Sequence, residues 1–227
     1  MHRTPNEPWQ GDLWLATDYC LVAGQVGQTQ AHAHYAHQVL IACAAPVQAS
    51  IQGQVECGPL LLIASGQPHA ILSEQPAITL FAEPLAFELP VLRQLCEDAG
   101  ADLEGLNQRL RALPRRPLHP RLTTALQRVR ALDENTLPAA QLASEAALSL
   151  SQLERLFSGQ LGLSVRRLVL WQRLRVALQL ALGGSSLTEA ATCAGFADSA
   201  HLSRSVRQQF GIRADRTLRH LRLRLLD

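Results

Sequence analysis

The stretch FADSAHLSRSVRQQFG, residues 196–211, decides how the back half of this chain is read. Leu202, Val206 and Phe210 recur at i, i+4 and i+8, which predicts one apolar stripe along a short helix. Asp198 stands where an N-cap belongs, and Gly211 stands where a helix stops. The remaining face carries Ser199, His201, Ser203, Arg204, Arg207 and Gln208, so nearly every exposed position can hydrogen-bond. A face of that kind is made to touch something polar.

The same stretch belongs to an internal repeat. Residues 142–163, LASEAALSLSQLERLFSGQLGL, run parallel to residues 190–212, AATCAGFADSAHLSRSVRQQFGI. Leu153, Arg155, Gly162 and Leu163 match Leu202, Arg204, Gly211 and Ile212 at an offset of 49, while Ala143 matches Ala191 at 48. Each copy reads as an Ala-rich helix, a turn, an N-cap (Ser149 or Asp198) and an amphipathic helix. Small residues in the first helix let the second cross it closely, which is helix-turn-helix architecture. A long helix predicted at 164–182 joins the two units. A separation of about 34 Å would carry both recognition faces into successive major grooves of double-stranded DNA.

Charge agrees with that partner. The 227 residues carry a net charge of +2, but the part up to Pro117 sums to −5 and the rest to +7. An acidic front and a basic back predict two domains, the back one facing a polyanion. Five scattered cysteines without CxxC spacing argue for a reducing interior. The start MHRTPNEPWQGDLW lacks a signal-peptide pattern, and no run of about 18 apolar residues would span a membrane. The expected location is cytoplasmic.

Residues 13–90 read as short β-rich segments separated by Gly, Pro, Ser and Gln, spaced for a small barrel or sandwich. From Val91 to Leu113 leucines recur every three or four residues, with Gly100 dividing them into two helices. LPRRPLHP, residues 113–120, has three prolines, and no helix can run through it. The expected domains are therefore a β sensory domain at 1–90, a helical dimerisation segment and linker at 91–117, and a DNA-binding domain at 118–227. Leu92, Leu95, Leu103, Leu106 and Leu110 are the expected homodimer surface. Further helices are predicted at 120–132, 138–146, 149–159, 187–194 and 198–209, with a helical tail from about 215.

Residues 120–220 resemble the DNA-binding domain of AraC-type transcription regulators. The resemblance rests on SLSQLERLFSGQLGLS, on Arg173 and Ala177, and on Ala191, Gly195, Phe196 and Asp198 followed by Arg204 and Gly211. Leu168, Leu202, Ala214 and Leu218 stand where the family commonly has aromatic or proline residues, which reads as exchange within the core. The reading is thus an α+β two-domain protein, a small cupin-like β-barrel followed by an all-α domain with two helix-turn-helix units on a long helix. On the recognition helices Ser151, Glu154, Arg155, Ser199, His201, Ser203 and Arg204 are the candidate base contacts, and the resemblance implies the same positions. Arg166, Arg167 and Arg207 are the candidate phosphate contacts. Such a regulator would meet RNA polymerase at its promoters.

In the front half, GQTQAHAHYAHQVLIA brings His32, His34 and His37 together, and His69 follows in LLLIASGQPHAI. In a strand, His32 and His34 share one face, which suits chelation. This half resembles a small cupin barrel, and His32, His34, Gln38 and His69 fall on the cupin metal-site pattern with Gln38 in place of the usual Glu. The expected use is structural or effector-lining, with no cofactor required. A divalent metal at His32, His34 and His69 is the alternative, as a sensor or as a cupin enzyme with a DNA-binding tail. The missing carboxylate argues against the enzyme, and no nucleophile motif or phosphate loop appears elsewhere.

Overall fold

The computed structural model describes residues 9–130, 139–161 and 164–226. Gly162 and Leu163 of the repeat, and the end of the helix expected at 120–132, lie outside the described residues. Eight strands come first: β1 (Gln10–Leu15), β2 (Tyr19–Val26), β3 (His37–Ala42), β4 (Val47–Ile51), β5 (Gln54–Gly58), β6 (Leu60–Ile63), β7 (His69–Ile71) and β8 (Gln75–Ala82). Helices α1 (Leu89–Ala99), α2 (Leu103–Ala112), α3 (Pro120–Arg130), α4 (Ala139–Glu145), α5 (Leu150–Leu161), α6 (Val165–Leu182), α7 (Leu187–Cys193), α8 (Ser199–Phe210) and α9 (Ala214–Thr217) follow. A 3-10 turn at Leu218–His220 leads into a last strand, β9 (Leu221–Leu225).

The strands build two sheets instead of one closed barrel, ordered β6-β3-β8-β2-β1-β9 and β5-β4-β7. The smaller sheet is folded by the β4–β5 hairpin, whose Gln52 and Gly53 both have positive φ, the geometry a two-residue turn needs between twisted strands. One face of the larger sheet presents Tyr19, Leu21, Val39, Ile41, Ile78 and Leu80. Helices α1 and α2 cover it with Leu92, Leu95, Cys96, Leu106 and Leu110, and Tyr19 donates its hydroxyl proton to Asn107 Oδ1 at 2.7 Å.

That arrangement corrects the expected dimer surface. Leu92, Leu106 and Leu110 are fully buried in the chain's own core, and Leu95 nearly so, with Leu103 packed against them. An apolar stripe says only that a helix joins some core, and a bare sheet face nearby is the first to claim it. The arginines of the proline-rich segment also dock here. Arg115 forks onto the buried Asp18 at 2.8 and 3.1 Å and lies over the Phe87 ring at 4.5 Å. Arg116 donates to the Pro84 carbonyl.

The tail is a second correction. After a four-residue helix it becomes β9, paired in parallel with β1 from Gly11↔Leu221 to Leu15↔Leu225. Leu221, Leu223 and Leu225 alternate with Arg222 and Arg224, a period of two that suits a strand. Arg222 forks onto Asp12 at 2.8 and 3.0 Å, and Arg224 covers the Trp14 ring at 4.2 Å.

The chain packs as two compact units: residues up to Arg116 with those from Val206 onward, and Pro117 to Ser205. The second unit is all helical. Its core gathers Leu122 and Leu126 from α3, Leu142 from α4, Leu153 and Phe157 from α5, and Leu168, Trp171 and Leu174 from α6. Ala190, Ala191, Phe196 and Leu202 complete it. Leu168 and Leu202, where an aromatic is usual, are both buried, so the exchange is indeed within the core. Each such Leu or Phe contributes on the order of 1.5–3 kcal/mol, several times what helix propensity supplies per residue. Packing, not propensity, holds these short helices.

Candidate nucleic-acid interface

The two helix-turn-helix units share one backbone turn. Leu148 N–H donates to the Ala143 carbonyl at 2.8 Å and Ala147 N–H to Ser144 at 3.0 Å. Phe196 N–H donates to Ala191 at 2.8 Å and Gly195 N–H to Thr192 at 3.0 Å. These are paired helix-ending bonds, each closing on a residue with positive φ: Ala147 at 54° and Gly195 at 77°. The two sites lie 48 residues apart, the offset that aligns Ala143 with Ala191.

After the turn, the N-caps orient each recognition helix. Ser149 Oγ accepts from Gln152 N–H at 3.2 Å, and Gln152 Oε1 accepts from Ser149 N–H at 2.9 Å, a reciprocal box. Asp198 Oδ1 accepts from His201 N–H at 2.6 Å. Leu153 and Phe157 on α5, with Leu202 and Val206 on α8, turn inward. Ser151, Glu154, Arg155 and Arg204 are exposed, while Ser199, His201 and Ser203 are half-buried. Among the described residues neither Arg155 nor Arg204 pairs with a carboxylate; Arg155 donates only to the Ser151 carbonyl, at 3.4 Å. Arg166 and Arg167 are exposed in the first turn of α6.

Further candidates are engaged within the chain, Ser151 Oγ with Ser149 Oγ at 3.2 Å among them. His201 Nδ1 accepts from Ala197 N–H at 3.3 Å, and its ring meets Phe196 edge-on at 5.3 Å. Arg207 donates from Nε to Gln30 Oε1 at 2.9 Å. The structure also adds residues that the sequence reading missed. Arg121 and His119, at the start of α3, share with Arg155, Gln152, Leu148 and Leu156 a groove of about 540 Å³. No periodicity links positions 119 and 155, so only the folded chain brings these basic groups to one wall.

The histidines of the β unit converge as well. One ring nitrogen from each of His32, His34 and His69 lies within 4.8 Å of the others, and all three side chains are buried. Residues 31–36 do not form a strand as expected. Instead His32 and His69 exchange backbone hydrogen bonds at 2.9 Å in an isolated bridge, which brings their ring centroids to 4.1 Å, tilted at 58°. Each Nδ1 faces a nearby carbonyl: Gln30 at 2.8 Å, Ala36 at 2.9 Å and Gln67 at 2.8 Å. A carbonyl can only accept, so each Nδ1 carries the proton and each Nε2 keeps its lone pair. Burial first, and then the neighbouring rings, lower His32 to about 4 and His34 to about 3, and burial lowers His69. The trio is therefore neutral at pH 7. Gln38 is buried with Oε1 3.1 Å from His34 Nε2. Glu56 and Glu74 are exposed, and Glu83 is buried but outside the cluster. His37 stands apart, its Nδ1 accepting from Ser65 N–H at 3.0 Å.

A helix-turn-helix family model matches residues 142–220, both units and the helix between them. A transcriptional regulator with an AraC-type DNA-binding domain from Chromobacterium violaceum is 33% identical to this chain. The likeness covers 41% of this chain and 85% of that one, with a TM-score of 0.40. The chain belongs to the AraC family of transcription regulators. It is thus a DNA-binding regulator and not an enzyme. Over most of its length this AraC-family chain has the fold of ToxT from Vibrio cholerae, whose apo form is 8% identical. That likeness covers 89% of this chain and 97% of ToxT, with a TM-score of 0.58. ToxT bound to an unsaturated fatty acid is 10% identical, covering 93% and 95% with a TM-score of 0.53. No curated protein matches the chain. Among the described residues no helix is long and apolar enough to cross a membrane.

Proposed function

We propose that this AraC-family regulator reads promoter DNA through α5 and α8 together, each helix reading one major groove. The carrying observation is the matched pair of units: the same turn, the same inward apolar stripe, and Arg155 and Arg204 exposed at equivalent positions with no carboxylate partner among the described residues. Ser151, Glu154, Arg155, Ser199, Ser203 and Arg204 make the base contacts. His201 joins them only through the part of its ring left outside the Phe196 contact. Arg166 and Arg167 hold phosphates, and Arg121 beside Arg155 extends that wall. Arg207 contributes when it leaves Gln30.

The DNA-reading segment is 118–227, and the cupin-like β domain receives a small effector without needing a cofactor for its fold. The regulator works in the cytoplasm, as a homodimer, in contact with RNA polymerase. Its dimer surface lies elsewhere than the leucines of α1 and α2, which are spent on the sheet. Selection of bound sequences from random DNA, with the salt fixed, tests the reading. Enrichment of a two-part site supports it, and enrichment without any shared motif refutes it. Sedimentation of the full chain at rising concentration tests the homodimer.

A further inference from the structure

The first turn of α5 holds one large apolar side chain at the surface. Ser149 and Gln152 close the reciprocal box at the helix start, and Ser151 Oγ lies 3.2 Å from Ser149 Oγ. Leu148 and Leu153 stand at the two positions of a hydrophobic staple, the first half-buried and the second fully buried. Leu150, the first residue of the helix, belongs to neither device and is 39% exposed. Exposure alone says little, since single surface leucines are common. Its place says more. We infer that Leu150 reads DNA, its side chain set against the C5-methyl group of a thymine in the half-site that α5 enters.

Side chains four apart on a helix lie in one row, so Leu150 leads the row of Glu154 as Ser151 leads that of Arg155. Glu154 and Arg155 are both exposed. Every Cβ of a helix tilts toward its N-terminus, so the first residue of a row reaches furthest past the helix start. That is the end a recognition helix presents to base edges. In the major groove the thymine methyl is the one apolar group on offer, while the other base edges present donors and acceptors. A leucine placed among polar readers therefore fits a thymine and no other base.

The second unit supplies the contrast. The offset of 49 that aligns Leu153 with Leu202 also aligns Leu150 with Ser199, the first residue of α8, which is half-buried. A hydroxyl donates or accepts and so adapts to several bases, whereas a leucine can only fill space against a methyl. At this position the first unit demands a thymine and the second does not. The two half-sites therefore differ in kind, which gives the whole site a direction.

This inference rests on the base-reading role proposed above. Its test replaces each thymine of a selected site in turn by deoxyuridine, which lacks only the C5-methyl, and titrates the full chain at fixed salt. One thymine, in the half-site whose preference Arg155→Ala relaxes, should lose about fourfold in affinity as deoxyuridine, the size expected of one buried methyl. Leu150→Ala should bind the thymine and deoxyuridine forms of that position equally. Leu150→Met, which keeps an apolar tip, should still tell them apart. A merely structural role for Leu150 would weaken both forms together and leave the fourfold ratio intact, so that result overturns the inference. A selected site in which no thymine is sensitive to its methyl overturns it as well. If selection yields no base preference at all, the reading of DNA by α5 and α8 fails first, and this inference fails with it.

Discussion

The first and second helix-turn-helix units have the same turn and the same inward stripe, yet their recognition helices are held differently. Helix α5 packs on α3, α4 and α6, all within one helical unit. Helix α8 begins in that unit, but from Val206 onward it belongs with the sheets, where Phe210 and Gly211 meet the histidine cluster. Similar sequences thus serve two purposes. Helix α5 is set in its own small core, whereas the far end of α8 meets the histidine cluster.

The largest predicted effect strikes the held end of α8. Gly211→Val combines a disfavoured φ with a clash against the Gln30 backbone, and should cost on the order of 3 kcal/mol in denaturant unfolding of the full chain. A loss below about 1 kcal/mol would mean that the seat is soft and the contrast between the units small. Next come the readers. Arg155→Ala and Arg204→Ala should each lower affinity for a selected site by about 1–3 kcal/mol and relax one base position, a different one for each. Equal losses on random DNA would make them phosphate contacts.

Acid should act on the sheet side. Burial, and then the nearby Arg116, lower His37 to about 4 from the usual 6.5. Between those values the unfolded chain takes up a proton that the folded chain refuses, so stability falls as pH drops through this window and levels below it. His37→Asn should flatten that part of the stability–pH curve by up to one proton, and an unchanged slope would reject the assignment. The smallest effect compares the two turns. Ala147 holds a positive φ that glycine adopts freely, so Ala147→Gly should leave stability unchanged or raise it by up to about 1 kcal/mol. The matching Gly195→Ala should cost about 1 kcal/mol. Opposite signs at equivalent positions would be strong evidence that the turns are one motif.

Much of this was legible in the residue order. The helix expected at 198–209 is Ser199–Phe210, and that at 164–182 is Val165–Leu182, because stripes, caps and glycines mark helix ends directly. The spacing of His32, His34 and His69 pointed to a cluster, and they do cluster, though through a bridge between segments and not within one strand. Other features left weaker signals. LRLRL carries a period of two over only five residues, too short to outweigh the helices before it. The leucines of α1 and α2 could not say whose core they join. The contact of residue 34 with residue 210 leaves no pattern in either segment, since an aromatic ending a helix reads as part of its own stripe. Nor does any local rule bring Arg121 to Arg155.

The most direct test of the account is a selection from random double-stranded DNA with the full chain, repeated with Arg155→Ala and with Arg204→Ala at the same salt. Two short motifs about one helical turn apart are expected, with Arg155→Ala blurring one and Arg204→Ala the other. A single motif lost in both variants, or none at all, would contradict the claim that α5 and α8 read adjacent grooves.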